Sequence, residues 1–199
     1  MPNWCANSLK LVATTAESEA KLSEIVYELS RAEAAHENPK FCELIKPIPE
    51  ALQITAGYLG DPVAQAELVA KEQANLKLYG YKHWYDFCVG EWGCKWDIRT
   101  LDDDSFKLNG NAVTIFFDTP WSPPMGIYHA LEDMGFIVEA TYVEQGCDYI
   151  GYYTKGQDTY TQFSSIYEYK EDDEEEDLEG QSLAVESFFA EAGFDHQPS

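Results

Sequence analysis

The order in which strand-like and helix-like stretches follow one another is what most limits the folds open to this chain. Residues 3–13 alternate loosely, with Trp4, Leu9, Leu11 and Ala13 as the apolar positions, and predict a first strand. Thr14-Thr15-Ala16-Glu17 then fits a capping box, a hydroxyl at the cap and a carboxylate three positions on. The helix it opens runs to about Ala35, with Leu22, Ile25, Val26 and Leu29 on one face. Phe41 to Ile48, closed by Pro47 and Pro49, predicts a brief strand or extended loop. Asp61-Pro62 starts a second helix, which reaches Tyr79 and stops at Gly80. His83 to Val89 predicts a short helix broken by Gly90 and Gly93.

The second half of the chain repeats the strand–helix theme. Phe106 to Phe117 folds around a turn at Asn109-Gly110-Asn111, and its second half is a strand. Ser122 is expected to cap a helix opened by Pro123 and Pro124, with Ile127, Leu131 and Met134 buried and Gly135 at its end. Phe136 to Val143 and Asp148 to Thr154 predict paired strands, and Thr159 to Tyr169 a further one. The fold class that follows is α+β, ferredoxin-like, with one antiparallel sheet covered on one face by two helices. The expected division is a domain over 1–170 with a helical insertion at about 50–97, an acidic linker over 171–181, and a short helix over 182–199 carrying Leu183, Phe188 and Phe189.

Charge bounds the function more tightly than size does. The chain of 199 residues carries 36 acids and 13 Lys or Arg, a net −23. Residues 1–170 hold 25 of the acids and all 13 bases, a net −12, and residues 171–199 hold 11 acids and no base, a net −11. The folded part is therefore acidic even without its tail. Such a surface repels phosphate backbones, because nucleic-acid affinity comes from basic groups that displace counterions. Direct nucleic-acid binding is not expected, and basic protein surfaces are the natural partners. No stretch has the length and apolarity of a membrane span, and no basic-then-apolar leader opens the chain, so a cytoplasmic setting is expected.

Five cysteines, Cys5, Cys42, Cys88, Cys94 and Cys147, are widely spaced and odd in number, which predicts reduced thiols in place of a disulfide framework. His83, Cys88 and Cys94 lack the close pairing of structural zinc ligands. No cofactor is implied: the chain has no glycine-rich phosphate cradle, nucleophile elbow or P-loop lysine.

All five tryptophans fall in three short polar-flanked motifs. These are Met1-Pro2-Asn3-Trp4-Cys5-Ala6-Asn7, the stretch Trp84-Tyr85-Asp86 running into Glu91-Trp92-Gly93-Cys94-Lys95-Trp96-Asp97, and Thr119-Pro120-Trp121-Ser122-Pro123-Pro124. With the later "YVEQG" and "GYY", these motifs resemble the YubB-like family, phage- and plasmid-borne proteins with a ferredoxin-like domain. The resemblance covers about residues 1–155, and Cys94 departs from it where a threonine is expected. It implies a mobile-element origin and the ferredoxin-like architecture. It transfers no catalytic residues.

Three constellations carry candidate chemistry. In the central motif, Asp86, Glu91 and Asp97 have the chemistry of hard-metal ligands and His83 that of a general base. The reading preferred for the same residues is the polar rim of a secondary core built on Trp84, Trp92 and Trp96. Tyr152, Tyr153 and Tyr160 lie among carboxylates, a composition suited to protein binding, and sheet packing also accounts for such tyrosines. Asp102, Asp103 and Asp104, with the run Glu171, Asp172, Asp173, Glu174, Glu175, Glu176 and Asp177, present closely spaced carboxylates. Such a run serves either as a solvated linker or as a mimic of nucleic-acid phosphates.

The reading that follows is a non-enzymatic interaction protein, an acidic, nucleic-acid-mimicking inhibitor of a host defence or nucleic-acid-handling protein. Tyr152, Tyr153 and Tyr160 would anchor it, and Asp102 to Asp104 and Glu171 to Asp177 would supply charge. The alternatives are a metal-dependent enzyme using Asp86, Glu91 and Asp97, and a small scaffold module that pairs as a homodimer through an open sheet face or edge.

Overall fold

The computed structural model describes residues 3–100, 105–167 and 178–194. Asp102 to Asp104 and Glu171 to Asp177 lie outside the described residues. The first strand, β1 (Trp4–Ala13), is the centre of the sheet. Its odd residues Cys5, Asn7, Leu9, Leu11 and Ala13 are buried on one face, as a period of two requires. It pairs antiparallel with β3 (Ala112–Pro120) on one side and β4 (Phe136–Glu144) on the other, with Leu9 opposite both Ile115 and Ala140. β2 (Phe106–Asn109) joins β3 through a tight turn in which Gly110 has φ +60°. The order β4-β1-β3-β2 is that of a ferredoxin-like βαββαβ unit. A hairpin of β5 (Tyr149–Thr154) and β6 (Gln157–Thr161) extends the sheet beyond β4 to six strands. Lys155 and Gly156 turn this hairpin with φ of 51° and 74°, the positive values its twist requires. β6 ends at Thr161 and a 3₁₀ turn follows at Phe163–Ser165, where the strand is expected to continue; the end of that expected strand, at Tyr169, lies outside the described residues.

The two crossover helices, α1 (Ala16–Ala35) and α5 (Met125–Asp133), bury Ile25, Leu29, Ile127 and Leu131 against the odd face of β1. The cap of α1 is Thr15, one residue later than the sequence indicates. Thr15 Oγ1 accepts from the Ser18 backbone at 3.1 Å, and Ser18 Oγ accepts from the Thr14 and Thr15 backbones at 2.9 Å. Ser18 is fully buried, a place a neutral hydroxyl tolerates and the carboxylate of Glu17 would not. Ser122 likewise does not cap α5. Its hydroxyl donates to the Gly93 carbonyl at 2.7 Å, tying the two tryptophan motifs together, and Pro124 takes the cap position.

Between α1 and β2 lies an insertion of short helices. α2 (Phe41–Ile45) forms where an extended segment is expected. α3 (Pro62–Tyr79) begins and ends as its sequence predicts, with Asp61 Oδ1 accepting from Val63 and Ala64 at 3.0 and 2.8 Å and Gly80 at φ +79°. α4 (Trp84–Phe87) continues directly into a π-helical turn at Cys88–Trp92, so Gly90 does not break it, and Gly93 ends it at φ +88°. A Cβ on Gly126 of α5 would overlap the Glu91 carbonyl of this turn, which explains a glycine in the first turn of a helix.

α6 (Leu178–Glu191) starts four residues before the expected helix and packs on the other face of the sheet. There Phe189 meets Ile150 and Phe163 in a second, smaller core, with Tyr152, Val143 and Phe188 at its margin. The two crossover helices cover one face of the sheet, as the sequence predicts, and α6 covers only the β4–β5 end of the other face, on which Lys10 and Ile137 stay exposed.

Candidate functional site

The N-terminal motif builds a buried polar clasp. Asn7 Nδ2 donates to the Cys5 carbonyl at 2.7 Å and to Thr119 Oγ1 at 2.9 Å, and Thr119 Oγ1 donates to the Ser122 carbonyl at 2.8 Å. Asn7 Oδ1 accepts from the Tyr128 hydroxyl at 3.2 Å. Tyr128 and Thr119 are fully buried, so the motif's asparagine is consumed in satisfying the core. Asn3 serves the same end of the sheet: its carbonyl accepts from the Trp121 backbone at 3.0 Å.

In the central motif the acids part company. Asp97 Oδ1 accepts from Cys42 N and Ile98 N at 2.8 and 2.9 Å, and Oδ2 from Glu43 N at 3.0 Å. It thereby caps α2 from far along the chain. Burial pushes its carboxyl pKa up, and the three backbone N–H groups oppose that shift. Glu91 is paired with Lys46 and accepts from the Tyr81 hydroxyl at 2.6 Å, and Lys46 holds its pKa down. Asp86 accepts from Lys82 N at 3.4 Å, and His83 Nδ1 caps α4 by accepting from Asp86 N at 3.4 Å. The metal site expected from Asp86, Glu91 and Asp97 is therefore not assembled, because each carboxylate is committed to a different partner. Among the described residues no cluster of three or more His, Cys, Asp or Glu could hold a metal ion. All five cysteines are free thiols, and only Cys147 is exposed.

The tryptophans divide between core and surface. Trp92 is buried, its Nε1 donating to the Lys46 carbonyl at 2.8 Å. Trp96 stacks on Trp121 with centroids 6.3 Å apart, and both indoles are about 40 % exposed (41 % and 42 %). Lys95 Nζ sits 4.3 Å above the Trp96 ring and within 5.6 Å of Tyr85 and Trp121, a cation–π cluster. Trp121 takes φ +65°, which its backbone bond to Asn3 and the acceptance of the Tyr149 hydroxyl by its carbonyl hold in place.

The expected tyrosine anchors are mostly internal. Tyr153 is fully buried, its hydroxyl donating to Glu132 Oε2 at 2.7 Å and lying 2.9 Å from His129 Nδ1. Tyr152 lies under α6, with its ring 5.1 Å from that of Phe194 and 6.3 Å from that of Phe188. Only Tyr160 of the three stands exposed, on β6. Tyr153 is enclosed in the main core beside Tyr128 and His129 of α5, and Tyr152, on the opposite face, is half-covered by α6.

An exposed aromatic among ion-paired carboxylates is present elsewhere, on the outer side of α1, with Glu24 paired to Lys21 and Glu28 to Arg31. Tyr27, 72 % exposed, lies with Ser23, Glu24, Glu28 and Leu44 around a shallow groove of about 470 Å³. Glu28 is held by Arg31 through two bonds of 2.8 Å and accepts from Lys40 N at 2.9 Å, which lowers its pKa to about 2. The helical period contained the signal. Tyr27 falls off the Leu22, Ile25, Leu29 and Ala32 stripe, so an aromatic is placed in solvent between carboxylates.

The fold defines an α+β protein built on a ferredoxin-like antiparallel sheet. Residues 95–186 match the family model described as the ferredoxin-like domain in Api92-like protein. Among solved structures, the protein api92 from Yersinia pseudotuberculosis aligns with 12 % identity and a TM-score of 0.41, over 81 % of this chain and 98 % of that one. None of the curated proteins compared with the chain matches it. No helix among the described residues is long and apolar enough to cross a membrane.

Proposed function

We propose that this chain is a non-enzymatic interaction protein of phage or plasmid origin, acting in the host cytoplasm. It occupies a basic groove on a host defence or nucleic-acid-handling protein. The observation that carries this reading is the Tyr27 groove: an exposed aromatic set between Glu24 and Glu28, on a chain of net −23. Tyrosine supplies rigid contact area at small entropic cost; Glu24 and Glu28 are paired with Lys21 and Arg31, so the chain's net charge of −23 is what steers a cationic partner. Tyr160 adds a second exposed aromatic on β6, and Asp102 to Asp104 and Glu171 to Asp177 add charge in the same sense. Direct nucleic-acid binding and a cofactor have no part in it.

The test is affinity capture of basic proteins from a bacterial lysate with the intact chain, with Tyr27→Ala and with Glu24→Lys, each at low and high salt. The expected result is a nucleic-acid-handling protein retained at low salt, released at high salt and weakened by both variants. Retention that ignores salt and both substitutions would overturn the reading.

A further inference from the structure

α3 is an anomaly of burial. Of its eighteen residues only Leu68 and Asn75 are buried. Asn75 fastens the helix to the body by donating to the Ala51 and Lys82 carbonyls at 2.7 and 3.0 Å. Helices in folded proteins draw most of their stability from an apolar face packed on the core, and this one turns its apolar residues outward. Val63, Val69, Leu76 and Leu78 are all exposed, with Tyr58 and Leu59 just before the helix. Val69 and Leu76, seven residues apart, share one flank of the helix, whereas Val63 and Leu78 lie on the other.

Val69 and Leu76 are spaced as one heptad position. Ala66, Val69, Gln73 and Leu76 recur at spacings of three and four along one stripe, the a and d positions of a two-stranded seam. Glu72 and Lys77 then take the flanking g and e positions. In a parallel pair, Glu72 of one helix faces Lys77 of the other, and neither forms an ion pair within its own chain among the described residues. Gln73, polar at an a position, would fix the register.

Charge selects the occupant. The helix carries Glu67 and Glu72 against Lys71 and Lys77, two of each sign, so α3 is neutral on a chain of net −23. Two copies repel each other over their acidic surfaces and not along this stripe. We infer that α3 is a homodimerisation helix, pairing in parallel with α3 of a second copy along Ala66, Val69, Gln73 and Leu76. The interface lies on the inserted helices, away from the sheet faces and edges where pairing was first expected.

Screening sets the sign of the salt response. Added salt weakens the repulsion between two strongly acidic bodies more than it weakens two exposed Glu–Lys pairs, so dimerisation strengthens with salt. That is the opposite of the response expected at the Tyr27 groove, so one reading can fail without the other.

Sedimentation velocity on the full chain over a range of concentration and salt tests the proposal. A monomer–dimer equilibrium that shifts to dimer with salt is expected. Val69→Glu and Leu76→Glu should each give monomer with an unchanged circular dichroism spectrum, since both side chains are exposed. Lys77→Glu should weaken the dimer roughly five-fold, and adding Glu72→Lys should restore it. A chain that stays monomeric at every concentration and salt would overturn the proposal and leave the stripe to a different partner. A dimer indifferent to Val69→Glu and Leu76→Glu would overturn it as well, and a dimer not restored by the double swap would overturn the parallel arrangement.

Discussion

Asp97 and Cys42 stand 55 residues apart, and the Asp97 carboxylate accepts the Cys42 backbone N–H at 2.8 Å. With Glu43 N on its other oxygen, Asp97 is the helix cap that α2 lacks in its own sequence. Replacing Asp97 by Ala should cost about 1–2 kcal/mol in urea unfolding, in the range of a lost helix cap. Asn, which keeps one acceptor oxygen, should cost less. A chelator should leave the midpoint unchanged; a midpoint lowered by chelator in the unsubstituted chain, and no longer sensitive to it in Asp97→Ala, would return the residue to a metal role.

The Asn7 clasp predicts an ordered pair of losses. Tyr128→Phe removes one hydrogen bond and should cost about 1 kcal/mol. Asn7→Ala strands the Tyr128 hydroxyl and the Cys5 carbonyl in the core and should cost about 2–3 kcal/mol. Equal effects in denaturant titrations would show that Tyr128 is not held by Asn7.

Thiol titration should count one reactive cysteine in the native chain, because Cys5, Cys42, Cys88 and Cys94 are buried and Cys147 alone is exposed. Burial pushes the Cys5 and Cys88 thiols up to about 12, which removes the reactive thiolate as well as access to it. Cys147 should itself react slowly, since its hydrogen bond with Glu144 raises its pKa. All five should react on unfolding, and more than one fast native thiol would contradict the packing.

Glu28 gives a pH signature with a definite sign. Its folded pKa of about 2 lies below the ordinary 4.5, so the Arg31 pairing stabilises fully above 4.5 and is lost as pH falls from there toward 2. Glu28→Gln should therefore be less stable than the unsubstituted chain near neutrality, with the gap closing in acid. A gap that is constant across that window would show that the ion pair contributes nothing.

Local signals in the sequence were faithful wherever structure is set locally. Asp61-Pro62 and Gly80 bound α3, Asn109-Gly110-Asn111 turns the β2–β3 hairpin, and the alternation of β1 fixes its buried face. α2 was illegible because its cap is supplied by Asp97 from the far side of the insertion. The tyrosines of β5 misled for a related reason. α6 covers the face opposite the main core, so Ile150, Tyr152 and Tyr153 all pack and alternation no longer tells inside from outside. The three acids of the central motif are close in sequence, which leaves a shared metal site open as an alternative to a core rim; a helix cap, an ion pair and a turn contact claim them separately.

The seating of α6 over Ile150 and Phe163 makes the second sheet face a receptor that carries its own ligand. The connection from Tyr167 to Leu178 keeps that ligand at a high effective concentration, so a modest apolar contact suffices to keep it bound. Cutting the chain within the acidic run would leave the contacts intact while abolishing the tether, and the helix would become free to dissociate. The bared groove would then be open to the same helix from another copy.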